Sequence, residues 1–326
     1  MDTVSHLIRL ARIDASLDTR CMLAGATRFE FGACHEHEAP FHVLLEGTCL
    51  LRIGSRKLSL VPGDVVVIPS GAPHTITTPG RGRPQGVVKT SGDVFTTVRS
   101  ARGGESVIDL FCGHYTFGPG AGTMLLRSLP DPVHASFGQP AGSGMLQTLS
   151  SLMRNEAQWQ GAGTAVILSS LSTVLLAMVL RTSRGLATGA TLWTAAGDNR
   201  IAAVIERVLD DPGADWSISR LSAVAAMSRA TFIRHFQHST AMTVGAFVTR
   251  ARLMTAAELL RSGDDTVAAI AARVGYRSES AFSRAFRTAS GTTPARFRRS
   301  FYHAQVRPRP EVRGPAARST EAEGSR

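Results

Sequence analysis

The sequence predicts a two-domain α+β protein: a small β-barrel or sandwich, two helices after it, and an all-α basic module near the C-terminus. Three observations carry this. Residues 20–120 are rich in Gly and Pro and alternate like short strands, helical periodicity sets in near Met145, and basic charge is concentrated beyond Trp216. At 326 residues the chain has room for two domains of roughly 100–200 residues, which excludes a disulfide-stapled miniprotein. With 43% hydrophobic and 19% charged residues, wholesale disorder is excluded as well.

In the first half, Cys49-Leu50-Leu51-Arg52-Ile53 and Leu58-Ser59-Leu60-Val61 read as strands, separated by Gly47, Gly54, Pro62-Gly63 and the Pro-rich stretch at 69–73. From Met145 to Gln160 and from Thr164 to Arg181 the pattern is helical, with Gly161-Ala162-Gly163 as the joint. The apolar faces of these two helices exceed what one small barrel can cover, which predicts a homodimer. The run Ala165 to Leu180 is 16 residues long with four Ser or Thr, short of the ~20 that span a bilayer, so no membrane partner is expected. No charged n-region followed by an apolar run opens the sequence. Export is therefore not expected, and Cys21, Cys34, Cys49 and Cys112 are expected in a reducing, cytoplasmic setting. The expected division is 1–140 β domain, 141–184 dimerisation helices, 185–198 linker, 199–302 helical module with two similar units at about 218–238 and 266–289, and 303–326 disordered tail.

Charge assigns a partner to one half. The net +11 comes from 36 basic and 25 acidic residues, and every basic residue except Lys57 and Lys89 is Arg. Residues 1–197 carry 16 basic and 13 acidic side chains, whereas 216–303 carry 13 Arg against 4 acidic. An Arg-rich segment suits phosphates and base edges, which points to nucleic acid. A uniform compositional bias toward Arg does not concentrate charge in this way.

The same segment repeats at an offset of 50 residues: Ser228 and Ser278, Phe232 and Phe282, Arg234 and Arg284, Phe236 and Phe286, Thr243 and Thr293, Phe247 and Phe297. Each copy reads as a helix-turn-helix. Ile218, Leu221, Val224 and Ala225 form the first apolar face, Met227 fills the turn, and Ser228 caps a helix that buries Phe232 and Phe236. In the second copy Val267, Ile270, Ala271 and Val274 precede a turn at Gly275-Tyr276, and Ser278 caps a helix that buries Phe282 and Phe286. With those rings inward, Arg229, Ala230, Ile233, Arg234 and Gln237 project outward in the first copy. Glu279, Ser280, Ser283, Arg284 and Arg287 project in the second. Arg can bind guanine bidentately, Glu can accept from cytosine, and Ser and Gln can read base edges or phosphates, so these ten are candidate contacts to double-stranded DNA. Val244 to Arg261 reads as one connecting helix of about 27 Å, which suits two recognition helices in successive major grooves.

From about Asn199 to Tyr302 the chain resembles the DNA-binding domain of the AraC family of bacterial transcription regulators. The resemblance rests on I-A-x-x-V-G-Y-x-S-E-S-x-F-S-R-x-F-R from Ile270 and on G-T-T-P-x-x-F-R from Gly291. In the first copy the family's usual Gly and Pro are Ala241 and Val244, a departure confined to one loop. The resemblance implies sequence-specific binding to a promoter or operator, a homodimer, RNA polymerase as a partner, and activation as the sign of regulation.

Gly63 to His74, G-D-V-V-V-I-P-S-G-A-P-H, resembles the second motif of cupins, and the region from Val4 to about Pro130 resembles the cupin-like sensors of some AraC-type regulators. In metal-binding cupins the first motif supplies two His and a Glu. Here His35-x-His37 imitates it but Phe41 stands where Glu is needed, so a cupin metalloenzyme is not expected and no cofactor is required. With L-D-T-R-C-M-L around Cys21 and Cys112 before Gly113, the sensor is most similar within the AraC family to the reactive-chlorine-responsive subgroup, and that resemblance implies redox roles for Cys21 and Cys112. Three readings of these cysteines stay open at the level of sequence. They are small buried hydrophobes, an oxidant-responsive thiol pair, or, with His42 and His74, a Cys2His2 metal site. A small-molecule effector in the barrel is the corresponding alternative input.

Overall fold

Strands punctuated by Gly and Pro pair into two sheets in the first half of the computed structural model, which describes residues 3–118, 121–126, 128–137, 143–159, 161–186, 195 and 198–306. Helix α1 (Thr3–Ala11) precedes β1 (Asp14–Leu23), β2 (Arg28–Phe31), β3 (Glu38–Glu46), β4 (Cys49–Ile53) and β5 (Arg56–Leu60). Then come β6 (Asp64–Val67), β7 (His74–Thr77), β8 (Val87–Ser91), β9 (Thr96–Ser100) and β10 (Ile108–Thr116). Helix α2 (Ala121–Leu126), β11 (Val133–Ser136), α3 (Ser143–Trp159) and α4 (Thr164–Leu186) complete the half.

The larger sheet has the order β11-β6-β3-β10-β1-β9-β8 and the smaller one β2-β7-β4-β5. This is a cupin-like two-layer β domain, the sandwich form of the expected barrel or sandwich, with its strands in two separate hydrogen-bonded sheets.

Alternation decides what each face of the large sheet covers. His42, Leu44, Leu110, Cys112, Cys21 and Leu23 point into the layer between the sheets, against Phe29, Leu51 and Ile76. Phe41, Val43, Phe111 and Tyr115 point the other way, under Leu7, Leu125, Met153 and Leu175 from α1 to α4. Central strands buried on both faces show no polar and apolar alternation, which is why Ala39 to Leu45 reads as a continuous buried run. Gly113 allows β1 to cross tightly here. A Cβ on it would lie 2.0 Å from the Ser16 carbonyl oxygen and 2.7 Å from the Phe41 ring, beside the register shift between Leu17 and Thr19.

Helix α4 is long and apolar enough, over 164–181, to cross a bilayer by length and composition. It packs instead on β1 and β11 through Leu168, Leu175, Leu176, Val179 and Leu180, and the Tyr115 hydroxyl donates to the Ser172 carbonyl at 2.9 Å. Leu152, Trp159, Val166, Ile167 and Val174 remain exposed on α3 and α4.

The second half is helical: α5 (Asn199–Asp210), α6 (Ile218–Val224), α7 (Arg229–Thr240), α8 (Val244–Ser262), α9 (Val267–Arg273), α10 (Glu279–Ser290) and α11 (Pro294–Val306). Asp198, Ser217, Ser228, Thr243, Thr266 and Ser278 each accept a backbone N–H at the helix start they precede. Of the expected linker 185–198, residues 185 and 186 finish α4 and Asp198 caps α5. The rest, Ala195 excepted, lies outside the described residues. The expected tail begins late, because 303–306 form the last turn of α11; residues 307–326 lie outside the described residues.

The two halves meet through α1, which touches α2, α4 and α5, while α2 packs against α8. Thr3 Oγ1 donates to Glu206 Oε1 at 3.0 Å, and Arg12 Nε pairs with Glu258 Oε2 at 2.8 Å. Movement in the β domain thus has a direct physical route to the helical module.

Candidate functional site

Two aromatic trios build the helical module. Phe232, Phe236 and Phe247 pack as tilted rings with centroids 5.6 and 5.5 Å apart, and Phe282, Phe286 and Phe297 pack tilted and edge-on at 5.6 and 5.2 Å. The first trio fixes α7 to α8, and the second fixes α10 to α11. The repeat is not uniform. The first helices begin at Ile218 and Val267, 49 residues apart, whereas the second begin at Arg229 and Glu279, 50 apart. The extra residue sits in the second turn, where Gly275 has φ +83 and a Cβ would meet the Gly213 carbonyl oxygen at 2.7 Å. Ala241 takes the left-handed φ of +56 that Gly291 takes at +76 in the other copy. The departure from Gly therefore keeps the same loop geometry, at the small cost of a Cβ in that region.

Of the ten candidate DNA contacts, Arg229, Ala230, Ile233, Arg234 and Gln237 on α7 and Glu279, Ser280, Arg284 and Arg287 on α10 are exposed; Ser283 is half-buried. Among the described residues, no ion pair engages the four Arg. Ile233 is an exposed apolar side chain among polar ones, suited to a thymine methyl. Helix α8, with 19 residues and about 28 Å of rise, joins the two units. Its Arg252 donates to the carbonyls of Pro212 and Ala214, tying the loop after α5 to it.

The second site lies between the sheets. In the register of β10 with β3, Cys112 is directly opposite His42. In the register with β1, Cys112 faces Thr19 while Cys21 faces Leu110, which makes the two cysteines diagonal neighbours. Their sulfurs are 3.8 Å apart. His42 Nδ1 lies 3.1 Å from Cys112 Sγ, His42 Nε2 lies 2.7 Å from His74 Nε2, and His74 Nδ1 lies 2.8 Å from the Ala72 carbonyl oxygen. Phe31 stacks on His74 at 4.7 Å and meets the His42 ring edge-on at 4.9 Å, holding both.

All four side chains are buried. Burial holds the Cys112 thiol well above the ordinary thiol range. Burial and the neighbouring His74 hold His42 well below the usual imidazole value, and burial also lowers His74. Cys112, His42 and His74 are therefore neutral at rest. Cys49, also buried, is pushed up to about 12. Cys34 is half-buried and raised by burial and by Glu38.

The structure thus brings Cys21, His42, His74 and Cys112 together, but as a chain. The two nitrogens of His42 turn to different neighbours, so the four donors do not converge on one point. Among the described residues, no group of three or more His, Cys, Asp and Glu is arranged to hold a metal ion. His37, from the incomplete first motif, turns away to pair its Nδ1 with Thr123 Oγ1. Sequence reasoning missed Arg20 and Asp109, a buried bidentate pair (3.1 and 2.8 Å) that joins β1 to β10 one layer away from the thiols. Their signal in the sequence was a pair of opposite charges within strands β1 and β10, which carry other polar residues as well.

A cupin-type β domain joined to a paired helix-turn-helix with free Arg faces defines a DNA-binding transcription regulator. The comparisons agree: the cupin family matches residues 2–183 and the helix-turn-helix domain family matches 221–300. The chain belongs to the AraC family of transcription regulators, in the group that carries an N-terminal cupin domain. It is 30% identical to a protein described as an uncharacterized HTH-type transcriptional regulator of Haemophilus influenzae, over 92% of this chain and 99% of that one. It is 29% identical to the HTH-type transcriptional regulator MtrA of Neisseria gonorrhoeae, over 92% and 98%. It is also similar to the RCS-specific HTH-type transcriptional activator RclR of Escherichia coli, with 26% identity over 91% and 97%.

Proposed function

We propose that this regulator is a cytoplasmic, dimeric transcription activator switched by oxidation of Cys21 and Cys112, and that it has no enzymatic turnover. The single observation that carries the input is the 3.8 Å contact between the two sulfurs. Similarity to a relative whose name reads RCS-specific transcriptional activator supports both the oxidant class and the sign of regulation. The exposed apolar faces of α3 and α4 supply the surface for a second copy, and RNA polymerase is the partner recruited at the promoter.

The diagonal register gives the switch a mechanical consequence. Directly opposed residues of paired strands approach closely, whereas diagonal ones have Cα atoms about 7–8 Å apart, beyond the ~4.4–6.8 Å usual for a disulfide. Closing the bond therefore has to draw β1 across β10 where the register already shifts. Strand β1 follows α1, so the shift reaches the α1 contacts with α5 and the Arg12–Glu258 pair. A second reading, a small ligand in the cleft of about 310 Å³ beside this cluster, is favoured by its polar lining, which includes Asp18, His35, Glu38 and His114.

Transcription from a cognate promoter, reconstituted with purified protein and an active-chlorine oxidant, separates the two. The wild type is expected to respond, and Cys21→Ser and Cys112→Ser are each expected to lose the response while still binding DNA. A response retained by both variants contradicts the thiol switch.

A further inference from the structure

The hydrogen-bond chain has a direction, fixed at its far end. The Ala72 carbonyl can only accept, so His74 Nδ1 carries a proton. His74 is then an acceptor at Nε2, which makes His42 the donor at its own Nε2 and leaves His42 Nδ1 bare. The bare nitrogen faces Cys112 Sγ, so the Cys112 thiol donates to it, and Cys21 donates its own S–H to Cys112. One backbone carbonyl thereby makes the two thiols unequal: Cys112 has a base on its proton, and Cys21 has none.

Access is unequal in the same sense. Cys112, His42 and His74 line the 310 Å³ cleft together with Phe31 and Cys34, whereas Cys21 does not line it and is fully buried. We propose that Cys112 is the thiol that meets the oxidant, with His42 as its base and His74 as the residue that holds the base in the competent tautomer. Cys21 is the resolving thiol.

This rests on the thiol-switch function above and specifies its chemistry. For a chloramine, the Cys112 sulfur attacks chlorine, the N–Cl bond breaks, and the thiol proton passes through His42 Nδ1 to the departing nitrogen, giving Cys112 sulfenyl chloride and the free amine. The Cys21 sulfur then attacks Cys112 Sγ and expels chloride, and its proton leaves to water. The two thiols lose two electrons in forming the disulfide, and chlorine is reduced to chloride. Because burial keeps Cys112 protonated at rest, a base in contact with its proton is what makes it reactive.

The test treats full-length protein with substoichiometric N-chlorotaurine, quenches it at intervals, and reads each cysteine by mass spectrometry. In Cys21→Ser, Cys112 is expected to be oxidised at the wild-type rate, whereas in Cys112→Ser, Cys21 is expected to stay reduced. His42→Gln, which lacks the nitrogen at Cys112, is expected to slow Cys112 oxidation by about 10²-fold, the usual contribution of a positioned base. His74→Gln can still accept from His42 and is expected to keep most of the rate, whereas His74→Leu is not. Continued protection of Cys49 in each variant reports that the sheets are intact.

Cys21 oxidised first, equal rates in the two His74 variants, or an unchanged rate in His42→Gln each overturns the assignment. So does stoichiometric metal that is lost in His42→Gln, because His42 is then a ligand. Absence of any Cys21–Cys112 disulfide in the wild type defeats the thiol switch itself, an outcome distinct from a disulfide begun at Cys21.

Discussion

Phe282→Ala is expected to destabilise the helical module by about 3–5 kcal/mol, the usual cost of emptying a buried aromatic site, and to remove sequence-specific DNA binding with it. Phe282 is fully buried, with its ring 5.6 Å from Phe286 and 5.4 Å from Tyr276, so it anchors α10 without being able to touch DNA. The loss of binding comes entirely from loss of the scaffold that presents Arg284 and Arg287. Phe282→Leu, which refills most of the volume, is expected to cost less than about 1.5 kcal/mol and to bind normally. Urea unfolding and DNA titration of both variants check this. A Phe282→Ala protein that unfolds within about 1 kcal/mol of wild type shows that the aromatic trio is not what holds α10.

Asp109→Ala is expected to be as damaging to the β domain. Asp109 holds Arg20 bidentately across β1 and β10, and Arg154 of α3 reaches it at 3.7 Å while pairing with Glu46 at 2.6 Å. Removing the carboxylate leaves a buried guanidinium uncompensated, which costs about 3–5 kcal/mol. Replacing both partners by apolar groups of similar volume is often neutral. The double variant Arg20→Met, Asp109→Leu is therefore expected to recover most of the stability lost in Asp109→Ala, as read from urea midpoints. Because these strands also carry Cys21 and Cys112, Asp109→Ala is further expected to loosen the diagonal thiol contact. A double variant no more stable than the single one contradicts the assignment of the loss to the unpaired charge.

The parts of this molecule that local chemistry determines were legible in the sequence. Ser228 and Ser278 cap helices, Phe232 and Phe282 face inward, and Val244 runs on into one long helix, because caps and apolar spacing act within a few residues. The unequal turns were present in the sequence, as the 49-residue offset of Ile218 and Val267 against the 50-residue offset of Ser228 and Ser278, but a single repeat offset hides them. Strand registers were harder still. Whether Cys112 faces His42 is set by a pairing 70 residues apart, and a slip of one residue turns every side chain to the other face. The contact of α1 with both halves had no local signal either, because its burial depends on where α2, α4 and α5 come to rest.

Selection of bound sequences from random DNA by the full-length protein tests most directly that both helix-turn-helix units read bases. A bipartite site is expected, with half-sites about one helical turn, ~10.5 base pairs, apart. Arg234→Ala and Arg284→Ala are each expected to cost about 1–3 kcal/mol at that site and to relax preference in one half only. A single short motif, or equal losses on cognate and random DNA, would contradict it.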